Sequence, residues 1–234
     1  MKFRVFGLLT ISVLFPAVFG WAQDIHNPAS GTIKGKITIN ANDDVGEGLL
    51  RDRLLDRYAV HDHHHGEDIQ PYRLSEKAVV YIDDIEEEDS VDLSHAARPQ
   101  LNQSQMMFRP LVLPVVAGTA VDFPNNDNLY HNVFSYSQPK EFDLGRYPTG
   151  EKRAVLFVKP GVVKVYCDIH SHMYATILVL KSHYFALPDD DGFFTIPNVP
   201  EGTHKVVFWY GRKEVASKKV VVKNDGVLNI DFSY

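Results

Sequence analysis

Residues 166–176, YCDIHSHMYAT, bring together one thiol, two imidazoles and a thioether: Cys167, His170, His172 and Met173. Cys167 is the only cysteine of the chain. Upstream, FPNNDNLYHNVFS (residues 123–135) adds His131 behind a loop rich in Asn and Asp. Soft sulfur with imidazole nitrogen suits copper in both oxidation states, when two His and one Cys form a trigonal plane with a long axial Met. Structural zinc asks for four good N, S or O donors, and a thioether is a poor one. Catalytic zinc on one Cys and two His is the other arrangement these residues allow, but it leaves Met173 without a role. Taken singly, each residue has a plainer explanation, since a lone Cys or a strand-end Met usually packs in a core and single histidines usually sit at the surface. Their occurrence together is what points to a metal.

Such a site needs strands that aim its side chains. In GVVKVYC (161–167) alternation puts Val163, Val165 and Cys167 on one face and Lys164 and Tyr166 on the other, so the thiol is expected inward at a strand end. His131, Val133 and Ser135 share a face in the same way. The pattern recurs in GTIKGKITIN (31–40), KAVVYID (77–83), LVLPVVAGTAVDF (111–123), HNVFS (131–135), RAVLFV (153–158), ATILVL (175–180), GFFTIP (192–197), HKVVFWY (204–210) and KKVVVK (218–223). Gly, Pro, Asn and Asp punctuate these runs as in sandwiches and barrels, so the expected fold class is all-β. Only 47–60 offers a helical face, through Leu50, Leu54 and Arg57, and it reads as an excursion between strands. Segments 41–76 and 86–105 lack the period of a packed element and read as long loops. No internal repeat, Gly-rich phosphate loop, Ser/His/Asp set or paired-carboxylate pattern stands out.

FPNNDNLYHNVFS followed by FVKPGVVKVYCDIHSHMYATILVL resembles the cupredoxins, the small blue copper proteins that include plastocyanin and amicyanin. The resemblance covers about residues 105–181. It lies in the Asn-rich turn into His-Asn, the Pro-Gly turn, and Cys-x-x-His-x-x-Met leading into a last strand; a ligand loop this short is most similar to amicyanin's. It implies a Greek-key sandwich holding one copper centre, with His131, Cys167, His170 and Met173 as ligands. It further implies that Asn132 ties the two ligand loops together and that His170 reaches the surface through an apolar patch as the electron exit. The function implied is single-electron transfer, without substrate turnover, to a redox partner such as a cytochrome or a quinone- or amine-oxidising enzyme. His172 is the alternative ligand to His170. A tight Cys-x-x-His turn brings sulfur and nitrogen to one metal, whereas His172, next to Met173, would tend to point away from it. The competing functional reading is a copper-binding or delivery protein, or an envelope-binding sandwich with a secondary copper site.

The flanks resemble carboxypeptidase-regulatory-like or transthyretin-like sandwiches. Asp190, Gly192, Phe194, Pro200 and Gly202 match their turns, with His204 near the usual Tyr, and strands at 31–40 and 78–82 match their opening. The expected layout is N-terminal strands of this second sandwich at 31–85, a linker at 86–104, the cupredoxin unit at 105–181 and the closing strands at 182–234. Within the first segment HDHHHGED places His61, His63, His64 and His65 beside Asp62, Glu67 and Asp68. This cluster is either a weak auxiliary metal site or a solvated loop.

Lys2 and Arg4 precede an apolar run (5–19) and small residues at Gly20 and Ala22, the layout of a secretory signal peptide cut after Ala22. The run is shorter than the roughly 20 residues that span a bilayer, and Pro16 interrupts it, so no membrane span is expected to remain after cleavage. No cysteine near the cleavage region is available to carry lipid. An exported protein, periplasmic in the first instance, is expected. Loss of Lys2 and Arg4 takes the formal charge from −6 to −8, which disfavours nucleic acid as a partner. A solitary cysteine in a disulfide-forming compartment is itself a signal that the thiol is buried, shared between chains or chemically employed.

Overall fold

The computed structural model describes residues 29–40, 71–85 and 97–234. The segment expected to be a signal peptide (1–22), residues 47–60 with their helical pattern, the His-rich residues 61–65 and residues 86–96 lie outside them. The chain opens with β1 (Ser30–Thr38), a single helical turn α1 (Leu74–Lys77) and β2 (Ala78–Ile82). The middle holds β3 (Asn102–Ser104), β4 (Met107–Arg109), β5 (Val112–Val116), β6 (Thr119–Pro124), β7 (His131–Ser137), β8 (Lys140–Tyr147), β9 (Lys152–Phe157), β10 (Gly161–Tyr166) and β11 (Tyr174–Leu180). It closes with β12 (Phe185–Ala186), β13 (Phe193–Pro200), β14 (Gly202–Tyr210), β15 (Lys213–Val222), β16 (Val227–Asn229) and β17 (Phe232–Ser233). The protein is all-β, and among the described residues no helix is long and apolar enough to cross a membrane.

Strands from the two ends of the chain build one sandwich. In one sheet β1 lies between β13 (antiparallel) and β16 (parallel), and also pairs with β17; the other sheet runs β12-β2-β14-β15. Ile33, Ile37, Val80, Ile82, Phe194, Ile196, Phe208 and Phe232 fill the space between. The glycine of IKGKI has a local cause: a Cβ on Gly35 would lie 1.6 Å from the Ile230 carbonyl oxygen, so no larger residue lets the returning chain approach β1.

The central sandwich has a five-stranded sheet, β5-β11-β10-β7-β8, parallel at β5/β11 and antiparallel elsewhere. Facing it are the pairs β6-β9 and β3-β4. Val163, Val165, Val133 and Ile177 point into the core with Leu101, Phe108, Phe123 and Phe157. Two expectations change here. The run 111–123 breaks at Gly118 (φ +93°), sending β5 to one layer and β6 to the other. The segment expected to be linker up to residue 104 is packed at its end: Leu101 is fully buried, Gln100 bridges Asp122, and residues 102–104 are β3. One buried leucine among polar neighbours shows no period, so the sequence pattern did not reveal it. Nor is β8 among the expected strands, because its inward side chains, Phe142 and Leu144, are only partly buried.

A third apolar cluster joins the sandwiches. Leu111, Val112, Leu178 and Leu180 on the outer side of the β5–β11 end meet Val79 and Trp209 on the outer side of β2 and β14. β11, β2 and β14 are therefore covered on both faces, and VVYI, VVFWY and ILVL, expected as alternating strands, are apolar on both sides for that reason.

Candidate metal centre

His131 is the first residue of β7, and Cys167 follows β10 directly, on the buried face that alternation predicts. His170 and Met173 lie in the loop that leads into β11. Three donor atoms converge: His131 Nδ1 and His170 Nδ1 are 3.0 Å apart, and Cys167 Sγ stands 3.9 Å and 3.8 Å from them. They form the one group of three or more His, Cys, Asp or Glu ligand atoms among the described residues within metal-binding reach. A triangle with these sides has its centre about 2.1 Å from each corner, the length of a metal–imidazole bond and about 0.2 Å short of a metal–thiolate bond, so one ion fits in or close to the donor plane. His131 is fully buried, Cys167 nearly so, and His170 half-buried. Met173 is buried in the same apolar cluster as Cys167. Its N–H donates to the His170 carbonyl at 3.0 Å, and the Cys167 N–H to its own carbonyl at 3.3 Å.

The loop before β7 selects the tautomer of His131. His131 Nε2–H donates to Asp127 Oδ2 at 2.8 Å, which leaves Nδ1 to face Cys167 and His170. Asp127 is held in turn: its carboxylate accepts the backbone N–H groups of Gln105 and Met106. Those two residues form the β3–β4 turn, both at positive φ (56° and 54°), and their amides are thereby aimed at one point. Asn125 anchors the loop, donating from Nδ2 to the carbonyls of Leu129 and Tyr147 and accepting from the Asp127 N–H.

These contacts set the charges. Burial works against a thiolate, but hydrogen bonds from His131 and His170 and from the backbone N–H groups of Asn132 and His170 outweigh it and bring Cys167 from the usual 9.0 down to about 5. Burial likewise disfavours an imidazolium at His131, yet Asp127 and Cys167 raise it from 6.5 to about 9. Asp127 stays below the ordinary carboxylate value despite its burial, because His131 and the Met106 and Gln105 amides stabilise its charge. The metal-free pocket thus holds Cys167 as the thiolate that a soft metal takes.

His131, Cys167 and His170 come together as their spacing suggests; His172 does not join them. His172 Nε2–H donates to the Met106 carbonyl at 3.1 Å, and its ring centre is 6.1 Å from that of His170. It fastens the ligand loop to the β3–β4 turn. Asn132 reaches the ligand loop by its backbone rather than by its side chain. Its carboxamide Nδ2 donates to Asp143 of β8 at 2.7 Å, while Oδ1 is buried without a hydrogen-bond partner, so its side chain does not tie the two ligand loops together. The β7–β8 register shifts between Asn132 and Phe134, which brings Asp143 within reach. Asn132 instead approaches the site through its backbone N–H on the sulfur. Asp127 and the Gln105–Met106 turn are the functional elements that sequence reasoning missed. The available signal was an acid four residues before His131; the turn that grips it is distant in sequence.

No family model matches the chain, and no curated protein matches it. Solved structures do. A copper-containing nitrite reductase from Thermus scotoductus is 27% identical with a TM-score of 0.35, over 37% of this chain and 23% of that one. A purple cupredoxin from Nitrosopumilus maritimus is 26% identical with a TM-score of 0.32, over 35% of this chain and 98% of that one. A Cu(I) methionine-to-alanine variant of amicyanin is 17% identical with a TM-score of 0.34, over 44% and 98%. The chain spans about a quarter of the reductase's length and nearly all of the two smaller proteins.

Proposed function

We propose that the central sandwich binds one copper ion through His131, Cys167, His170 and Met173 and that the protein carries single electrons outside the cytoplasm, in a periplasm or as a secreted protein. The observation that carries this reading is the triangle of two imidazole nitrogens and one thiolate sulfur, with sides of 3.0, 3.8 and 3.9 Å, gathered on strand ends over an apolar core. Copper held there would exchange one electron between Cu(II) and Cu(I) with the donors already near their final places.

The chain's own groups divide the remaining work. Asp127 keeps the proton on Nε2 of His131, so that Nδ1 remains a donor. The Asn132 and His170 amides draw charge from the sulfur, and the apolar residues around it, Val133 and Val165 among them, keep water away; both tune a thiolate-bound metal's potential. His170 is the donor closest to solvent. Its neighbour Ile169 and the residue before His131, Tyr130, are exposed and offer a redox partner an apolar landing place.

The test is metal analysis with optical and EPR spectra on the purified exported protein. One copper per chain, an intense blue Cu(II) absorption and reversible reduction are expected. A colourless holoprotein that surrenders Cu(I) readily would argue for copper delivery instead, and a zinc-loaded protein that ignores copper would overturn the reading.

A further inference from the structure

The ligand loop, residues 167–173, is closed at its base by a single cross-strand pair, Tyr166 at the end of β10 opposite Tyr174 at the start of β11. Both tyrosines lie on the outer face of the sheet, opposite to Val165, Cys167 and Ala175, which point into the core. Each is covalently next to a proposed ligand: Tyr166 to Cys167, Tyr174 to Met173. From the other sandwich, at the turn between β14 and β15, the exposed Arg212 lays its guanidinium on Tyr174, with its central carbon 3.4 Å from the ring centroid. Arg212, Tyr166, Tyr174, Lys164, Ala175 and Thr176 together surround a cleft of about 40 Å³.

The turn that carries Arg212 is firmly placed. The Trp209 indole N–H donates to the Gly211 carbonyl at 2.9 Å, and the Gly211 N–H donates to the Lys77 carbonyl at 2.9 Å. Trp209 is itself buried against Leu178 and Leu180 of β11. The cation is therefore not on a free loop; it is delivered from a fixed turn to the point where β11 leaves the ligand loop. A planar guanidinium stacks on an aromatic face in a way that an ammonium does not reproduce.

The geometry points to Arg212 as a positioning residue for Cys167 and Met173: through Tyr174 it pins the pair that closes the ligand loop, and so makes the outer sandwich a part of the metal site. The redox consequence rests on the copper reading above, whereas the mechanical one is present without metal. The guanidinium also adds a fixed positive charge beside the loop, which favours the less charged Cu(I) state.

Full-length R212Q, R212K, Y174L and the R212Q/Y174L double variant test this. Because Cys167 is the only thiol, its labelling rate in the metal-free protein reports loop opening without copper. R212Q and Y174L should each speed labelling about five- to tenfold. R212K should recover only part of the loss, and the double variant should be no faster than either single one, since both remove the same contact. Urea unfolding run in parallel separates this from global destabilisation, which would speed labelling only in step with the unfolded fraction. In the copper-loaded protein R212Q should lower the Cu(I):Cu(II) affinity ratio about three- to tenfold, or roughly 30–60 mV at 59 mV per decade. Labelling within twofold of wild type in R212Q, or additive effects in the double variant, would overturn the role of Arg212. A blue protein with unmoved labelling removes this inference alone; responsive labelling in a protein that binds no copper removes the electron-carrier reading alone.

Discussion

Replacing Asp127 by Asn probes how far the pocket depends on one carboxylate. Asp127 accepts from three donors: His131 Nε2–H at 2.8 Å, the Met106 N–H at 2.9 Å and the Gln105 N–H. Asn has the same shape but one acceptor oxygen, and its amide must face a donor. In Asp127, Oδ1 takes Gln105 while Oδ2 takes both Met106 and His131, so turning Nδ2 toward His131 keeps only the Gln105 bond and sets the amide against the Met106 N–H. Nε2 must then accept, and the proton moves to Nδ1, the atom that faces Cys167 and His170. Loss of such a partner behind a ligating histidine costs about 10–100-fold in metal affinity, or about 1.4–2.7 kcal/mol. In the metal-free protein the lost charge-assisted hydrogen bond costs about 1.5–3 kcal/mol. At about 2–4 °C per kcal/mol for a chain of this size, the melting temperature falls by roughly 3–12 °C. The assays are competition titration of Cu(I) against a chelator and thermal melts of the metal-free protein by circular dichroism. Should D127N bind Cu(I) within about threefold of wild type, the claim that Asp127 sets the His131 tautomer is wrong.

His170→Ala should abolish the blue band while His172→Ala keeps it, and the reverse pattern in the optical spectra would exchange their roles. In metal-free protein the thiolate absorbance should titrate near pH 5 rather than near 9. A folded value below the ordinary one stabilises the fold in full above pH 9, and the contribution is lost as pH falls through about 5; the raised His131 contributes fully below 6.5 and fades toward about 9. Together they predict that the stability advantage of wild type over Cys167→Ser, read from urea midpoints, shrinks as pH falls from 6.5 through 5. Trp209→Ala removes a buried aromatic at the contact between the sandwiches, at a cost of about 3–5 kcal/mol. Its denaturation curve should resolve into two transitions where wild type shows one.

Much of the central sandwich is legible in the chain, because strands buried on one face alternate: Val163, Val165 and Cys167 announce both the strand and the direction of the thiol. ILVL and VVFWY also read as strands, but what covers their second face is not visible in them. Leu101 and β3 escape notice, as an isolated apolar residue has no period. The candidate donors are legible through residue type and short spacing, since a loop from Cys167 to Met173 cannot separate its members far. Asn132 shows the limit of the same reasoning: adjacency to His131 places its backbone at the sulfur, while a register shift against β8 decides where its side chain goes.

By itself the sequence determined the all-β class, the inward thiol and the identities of the candidate donors, because pleat alternation and a seven-residue loop are local constraints. Tertiary structure alone decided which tautomer His131 adopts, what holds His172 and what stacks on Tyr174. Those depend on Asp127 gripped by the amides of Gln105 and Met106, on His172 fastened to the Met106 carbonyl, and on Arg212 arriving from the other sandwich. Each is a contact between segments far apart in the chain, and its geometry exists only once both sandwiches have packed.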